Sequence, residues 1–546
     1  MVISDLKLES TSLVYIFIVA FLSCLMAGVL VPIYSDEAIT KWPYANIFMR
    51  HAEVFSFLPQ CNFSNSKRLQ ELFYPAALTV SFIYTKFGPI GIRIGGIAIA
   101  LSFIYALWAL VKEKFGNNDA ALNLFATLLA LLGLGVTPYL LIFARSEQLI
   151  LLAIISLSLI CLKKNRNNEF YLRVIGIYFF VSLCLLVHPK SIFWTPLFLY
   201  SVILITRGRS AFLRILLLTL LLSLVYYAYQ NAAFTSACEA APYANAILKS
   251  NTLSLDKLII SPLVFFQEGL RSIYDAPAKV LSQVLFQASY QSGWLAPQGE
   301  ITPETVVANK IIYGVLFILL VGTHISILLE FLFRLGRRQL SEWNWLGLFI
   351  VVGSLSTAFF MKSWNFYSAS LYIPLSVVLL IFISINSKEI FYTVARNSIM
   401  VGTVSLSSFS LWLLVSNESP LLFRATTSMS IEIPGQQLSI PALSASKHLE
   451  NVRILASMCH IPKDGAKNLV VDHMTYYAFS ELVTPIHALY VSEKVYGGDL
   501  SEGRLLSFLK QIRSPGVVAR CEYVPPQLQQ DIEHRYSGYC CLRIYN

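Results

Sequence analysis

Eleven uninterrupted apolar stretches, near residues 12–33, 90–111, 120–142, 148–162, 170–187, 191–206, 212–230, 309–333, 345–361, 367–385 and 399–416, leave this chain few folds to choose from. A helix crosses about 30 Å of hydrocarbon with roughly 20 apolar residues, and within that slab every backbone N–H and C=O must find its partner inside protein. A soluble globule is excluded by composition. Of 546 residues, 56% are hydrophobic and 13% charged, with a mean hydropathy of +0.63, so there is too little polar surface to cover a particle of this size. The expected fold is an α-helical polytopic membrane protein of about 11 transmembrane helices. Residues 72–84 are apolar but short and begin at Tyr74-Pro75, which reads as an interfacial or re-entrant helix. The first run follows Lys7, Asp5 and Glu9 and carries no A-x-A cleavage signal, so it reads as a retained span rather than a signal peptide.

The formal net charge of +10 does not point to nucleic acid. The basic residues sit in short segments between apolar runs, without a stripe of interleaved aromatics, and that pattern orients helices in a membrane. One side holds Lys7, Lys112, Lys114, Lys163, Lys164, Arg166, Arg173, Arg207, Arg209, Arg214, Arg334, Arg337, Arg338, Lys388 and Arg396; the other holds Arg145, Lys190 and Lys362. Fifteen against three places the N-terminus and the first set in the cytoplasm. The loops 34–89 and 231–308, and everything after residue 416, are then expected outside. The chain divides into a membrane domain, 1–416, and an outer domain, 417–546.

That outer domain reads as small and α/β. Val470-Val471-Asp472, Ala488-Leu489-Tyr490-Val491 and Gly516-Val517-Val518-Ala519-Arg520 are short apolar strands, and residues 444–458 and 501–512 show helical spacing. Cys459, Cys521, Cys540 and Cys541 lie on the oxidising side of this topology, so one or two disulfides are expected, without a readable connectivity. Cys61 and Cys238, in the two long outer loops, form a further possible pair. Asp472 ends a strand, where a turn role competes with ligand contact.

The outer ends of the spans collect charges that hydrocarbon does not favour, since a charge at a helix centre costs roughly 2.5–3.5 kcal/mol. Asp36 and Glu37 emerge directly after the first span, and Arg93, Arg145, Glu147, His188, Lys190 and Lys362 belong to the same face. A carboxylate can take a proton from an acceptor hydroxyl, and cations can neutralise a departing phosphate. Structural roles compete at each position. Arg145 and Glu147 also suit an ion pair between helix ends, His188 before Pro189 a cap, Lys190 and Lys362 snorkelling, and Arg93 an anchor among small residues. Tyr290, Trp294, Trp364 and Tyr367 suit an interfacial aromatic belt. The chain contains no G-x-x-x-x-G-K-[ST], G-x-G-x-x-G or D-x-D pattern, so no nucleotide cofactor and no metal are expected. A group transferred on the outer face must therefore arrive already activated, on a lipid carrier.

Asp36-Glu37 after the first span, a long first outer loop with an amphipathic segment, Arg145-x-Glu147 at the end of the third span, His188-Pro189-Lys190 at the end of the fifth and a C-terminal outer domain together resemble the GT-C glycosyltransferases. The similar branch contains protein mannosyltransferases, lipid A aminoarabinose transferases, mycobacterial arabinosyltransferases and the RgtA/B/C/D-like bacterial enzymes. The resemblance spans about residues 10–385 in layout. It implies a bacterial inner-membrane enzyme with a periplasmic active site. Such an enzyme performs inverting transfer from a polyprenyl-phosphate sugar donor to a glycan or glycolipid acceptor of the cell envelope, such as lipopolysaccharide, with Asp36 or Glu37 as general base. Arg145, His188, Lys190, Lys362 and Arg93 are then the candidate donor-phosphate ligands, and Glu147 a second acidic site. The chain departs from the arabinosyltransferases, whose C-terminal module is all-β, and it lacks the W-W-D signature of oligosaccharyltransferases. Two other classes compete: a lipid-linked-glycan transporter or flippase, which inverted repeats and Gly/Pro-broken spans would favour, and a non-catalytic envelope assembly protein, in which the first-loop acids would be dispensable.

Overall fold

The computed structural model describes residues 2–31, 33–34, 90–116, 118–143, 145–163, 169–236, 251–288, 295, 301–362, 364–383, 390–418, 439–440, 445–461, 469–472, 475–479, 486–487, 504–511, 513–524 and 526–544. Asp36 and Glu37, the 72–84 segment, Cys61, Cys238, Tyr290 and Trp294 lie outside the described residues.

Every expected span is met by a helix: α1 (Val2–Ala27), α2 (Ile90–Phe115), α3 (Asp119–Leu132) continued by the single turn α4 (Thr137–Leu140), α5 (Ser146–Leu162), α6 (Phe170–Val187), a 3-10 turn (Pro189–Trp194) running into α7 (Thr195–Ile205), and α8 (Ala211–Ser236). In the second long loop lie α9 (Asp256–Ile260) and α10 (Pro262–Ser282), followed by the spans α11 (Pro303–Gly336), α12 (Glu342–Phe360), α13 (Phe366–Phe382) and α14 (Ile390–Leu413). Among the described residues, seven helices are long and apolar enough to cross a membrane, and four shorter apolar ones complete the set. The chain is a multi-pass membrane protein. Helix α13 is buried along nearly its whole length and forms the centre, whereas α8 shows most of its surface. Outer helices present Ile16, Val19, Ile318 and Leu329, the apolar faces that lipid would cover.

Among the described residues, basic residues of the first set separated by counting gather at one end of this bundle. There, Lys114 Nζ donates to the Ile383 carbonyl at 2.8 Å and lies 5.3 Å from the Trp343 ring, while Arg207 meets Glu342 at 3.8 Å and Arg173 donates to the Lys163 carbonyl at 2.6 Å. Arg93, at the start of α2, and Arg145, at the start of α5, lie at the other.

The third span corrects the sequence reading. Residues 120–142 do not form one helix; the helix stops at Leu132 and the chain turns through Gly133–Val136 before α4. Gly135 has φ +59°, a left-handed conformation that costs other residues about 1–2 kcal/mol. The broken backbone is repaired from outside: Gly135 N–H donates to Ser410 Oγ at 2.8 Å and Val136 N–H to the Val284 carbonyl at 2.9 Å. A Cβ at Gly135 would stand 2.0 Å from the Val284 oxygen. Gly135→Ala is therefore expected to combine that strain with about 1–3 kcal/mol of overpacking, read as a lower thermal unfolding midpoint in detergent; an unchanged midpoint would show that the break carries no stability.

The C-terminal domain is a mixed five-stranded sheet of β3 (Val470–Val471), β4 (Ile486–His487), β5 (Gly516–Arg520), β6 (His534–Tyr536) and β7 (Tyr539–Arg543), in the order β4-β3-β5-β7-β6. Helices α15 (Ala445–Met458) and α16 (Arg504–Gln511) fall where helical spacing was read, and Leu509 is buried against Val470, Val517 and Leu542. Strand β4 lies just before the expected 488–491, which is outside the described residues. Adjacent residues of a strand face opposite sides of its sheet, so Cys540 and Cys541 reach different partners. Cys541 bonds Cys459 of α15 and Cys540 bonds Cys521 after β5, with Cα–Cα distances of 6.2 and 4.8 Å. Before these elements, a two-residue antiparallel pair joins β1 (Ile33–Tyr34) to β2 (Ser439–Ile440).

Candidate active site

Gln148 fixes the start of α5, accepting from the Arg145 N–H at 3.1 Å and donating to the Leu140 carbonyl at 2.7 Å. That places Glu147 in the first helical turn, where a carboxylate is favoured by the positive end of the helix. Glu147 is 1% exposed. A buried carboxylate is sustained only by charge partners and hydrogen bonds, and Glu147 has both. Lys190 Nζ donates to Oε1, Arg145 Nε lies 3.8 Å from Oε2, and Ser146 Oγ donates to Oε2 at 3.0 Å.

Lys190 reaches this point because α6 ends at Val187 and the chain enters a 3-10 turn that starts with Pro189. His188 caps that turn, its Nδ1 accepting from the Lys190 N–H at 3.1 Å, which puts the proton of the neutral ring on Nε2. Trp194, fully buried, ends the turn inside the bundle. The guanidinium of Arg145 lies 3.6 Å from the centre of the Tyr367 ring, a cation–π contact with the start of α13. Rings then lead from Tyr367 to Phe366 at 4.2 Å and on to Phe143 at 5.5 Å, over which Arg93 sits at 4.8 Å. Arg93 is fully buried and its Nε donates to the Val31 carbonyl at 2.7 Å, just past α1 and the 3-10 turn that follows it.

The structure thus unites Arg145, Glu147, His188 and Lys190 from two helix ends and joins Arg93 to them through aromatic rings. Lys362 goes elsewhere. It lies 3.3 Å from Glu268 of α10, whose other oxygen accepts from Lys257 at 2.7 Å. The hydrogen bond from Lys257, with that from Lys362, holds the Glu268 carboxyl below its ordinary value. Sequence reading missed Glu268 and Lys257 because their helices sit in what read as a long loop. The signal was there: α10 starts at a Ser-Pro step and buries Phe265, Gly269, Ser272, Ala276 and Val280 at helical spacing. Of the aromatics, Tyr367 lies beneath Arg145, while Trp364 packs on Tyr372 at 5.7 Å.

In the C-terminal domain, Asp472 serves the fold. Its carboxylate accepts from the Thr475 N–H at 2.8 Å, the Thr475 hydroxyl at 2.9 Å and the Arg520 N–H at 2.6 Å, tying the ends of β3 and β5 together.

Chemically, the cluster gathers a guanidinium, an amine and an imidazole around one carboxylate in a partly buried place at a helix start, groups of the kind that can meet an anion such as a phosphate.

No family model matches the sequence, and no curated protein matches it either. Among solved structures, the chain is similar to the crystal structure of ArnT from Cupriavidus metallidurans bound to undecaprenyl phosphate, with 10% identity, a TM-score of 0.44 and an alignment covering 98% of each chain. At ten per cent identity, the chemistry must be argued from the residues of this chain.

Proposed function

We propose that the protein is an inverting glycosyltransferase of the GT-C kind, moving one sugar from a polyprenyl-phosphate carrier to a glycan or glycolipid outside the cytoplasmic membrane. The observation that carries this reading is the convergence of Arg145, Lys190 and His188 on the buried carboxylate of Glu147, at the start of α5. Asp36 or Glu37 takes the proton of an acceptor hydroxyl as that oxygen attacks the anomeric carbon. The bond from carbon to phosphate oxygen breaks, and the electron pair leaves with the polyprenyl phosphate, which gains a negative charge. Arg145 and Lys190, with the Nε2–H of His188, stabilise that charge as it develops. Glu147 holds both cations in place. Lys362, tied to Glu268, belongs to the same face but to a neighbouring ion-pair group.

The lipid donor follows from the site facing outward, where nucleotide sugars are not supplied. The disulfides of the C-terminal domain support that orientation, since such bonds persist in oxidising compartments. A reporter active only outside the cytoplasm is expected to work when fused after Asn417 and to fail after Arg338. The reverse pattern would remove the outward site and the donor class with it.

A further inference from the structure

Between α10, α11, α12 and α13 lies a cavity of about 680 Å³, within the size range of ligand sites. Helix α11 lines it with Tyr313, Phe317, Leu320, His324 and Leu328, a stripe recurring every three or four residues and therefore facing one way. The second half of α10, from Ile273 to Val280, forms another wall and carries the half-exposed Asp275–Lys279 ion pair at 3.2 Å. Among the lining residues, Tyr274, Phe317 and Ile325 are also exposed on the outside of the bundle, so the cavity opens sideways, toward the faces that lipid would cover.

The walls are apolar, but the floor holds buried His324, Ser354 and Tyr372, and the hydrogen bonds there run in one direction. The Leu320 carbonyl only accepts, so His324 Nδ1 donates to it at 2.7 Å; Nε2 of the neutral ring is then an acceptor, and it takes the Ser354 hydroxyl proton at 2.9 Å. Tyr372 gives its hydroxyl proton to the Ser354 carbonyl at 3.1 Å. All three donors are spent inside the protein, while Ser354 Oγ and Tyr372 Oη keep lone pairs. On α10, Pro277 has no N–H, so the Ile273 carbonyl lacks its usual helical donor. A bond such as His324 to Ser354 often ties two membrane helices together, but that role needs no cavity beside it. The floor thus asks its occupant for a hydrogen-bond donor.

Ser354 lies six residues before the end of α12 and Tyr372 six residues after the start of α13, about 9 Å along each helix. At that same end, α13 carries Tyr367 beneath Arg145, and Trp364 packs on Tyr372 at 5.7 Å. A lipid chain seated on the floor therefore brings its head to the end of the bundle that holds the Arg145 cluster.

We propose that this cavity seats an acyl chain of the acceptor glycolipid and selects a chain that bears a hydroxyl, whose proton is donated to Ser354 Oγ or Tyr372 Oη. The acceptor role rests on the transferase reading above; the seat itself does not.

The test begins with a readout that needs no activity. A glucosamine lipid with one β-hydroxymyristoyl chain and a diazirine at the chain end, irradiated with the full-length protein in nanodiscs, should label α11 between Tyr313 and Leu328. Unlabelled hydroxylated lipid should block that labelling at about 3- to 10-fold lower concentration than its deoxy analogue, the worth of one net hydrogen bond. Ser354→Ala combined with Tyr372→Phe should erase the difference. Val321→Phe, which fills the cavity without touching a hydrogen bond, should stop the labelling. In transfer from an undecaprenyl-phosphate sugar, the double variant should raise KM for the hydroxylated acceptor by that same factor while kcat stays within about twofold, the sign of lost uniform binding. If the double variant fails to fold, Val321→Phe and the two lipids on the wild-type protein decide. Labelling elsewhere, equal blocking by both lipids in the wild-type protein, or labelling that survives Val321→Phe would each overturn the seat. Selective blocking with an unchanged acceptor KM in the double variant would overturn the acceptor role. Selective blocking in a protein that transfers no sugar to any glycolipid would leave the seat standing and remove the transferase reading.

Discussion

Asp36→Asn is expected to lower turnover by about 10²- to 10⁴-fold, the range that general bases contribute. The substitution keeps side-chain volume and hydrogen-bonding reach but removes the lone pair that receives the acceptor proton, so binding of the lipid donor should change far less than kcat. Glu37→Gln is the paired test, because the two carboxylates are adjacent in sequence and a single base suffices for the proton. The expected pattern is a large loss in one and a smaller loss in the other, measured as initial rates at saturating donor. Full activity in both would remove the first-loop acids from the chemistry, and with them the reading of this protein as a transferase built on that loop.

The second large effect concerns Lys190. Glu147 is buried and Lys190 is its nearest cation, so Lys190→Gln leaves a carboxylate with Arg145 at 3.8 Å and a serine hydroxyl. Removing one partner of a buried pair costs about 3–5 kcal/mol, whereas replacing both by neutral groups of similar size is often tolerated. Lys190→Gln should therefore destabilise the protein and also abolish most transfer. The double substitution Glu147→Gln with Lys190→Gln should restore most of the lost stability in a thermal or denaturant scan. Transfer should stay low in the double variant if Lys190 also meets the leaving phosphate. Recovery of activity together with stability would show that the ion pair serves only as a staple between α5 and the turn after α6.

Much of the membrane domain could be read from sequence because its physics is one-dimensional. Lipid forbids unpaired backbone, so an apolar run of the right length means a helix, and the expected spans correspond to helices within a few residues at most ends. The break at Gly133–Val136 was hidden because its repair comes from Ser410 and Val284, remote in sequence, and because an apolar count does not register φ. The β6–β7 hairpin went unread for a different reason. His534, Arg535 and Tyr536 alternate poorly for a strand, yet Ser537-Gly538 carries the turn, with φ of 51° and 79°, the two left-handed residues that a tight hairpin requires. Serine-glycine there was the available signal. In the site, the Arg-x-Glu and His-Pro-Lys motifs could be found but their pairing could not: Glu147 and Lys190 meet only because α5 and α6 pack side by side. Lys362 shows the converse, since nothing in the sequence around it names Glu268 as its partner.

The donor decides the matter. If Arg145, Lys190 and His188 neutralise the leaving phosphate, they do with fixed charges what a divalent ion does in other enzymes, and the carrier lipid supplies the activation. Purified protein can be given a panel of undecaprenyl phosphates bearing a hexose, a pentose or an aminoarabinose, with envelope glycolipid as acceptor, while release of undecaprenyl phosphate and labelling of the glycolipid are followed with and without EDTA. The expected result is transfer from at least one lipid-linked sugar, unaffected by chelation and not supported by any nucleotide sugar alone. Transfer from a nucleotide sugar without the lipid carrier, or transfer lost to EDTA and regained with Mg²⁺ or Mn²⁺, would contradict it.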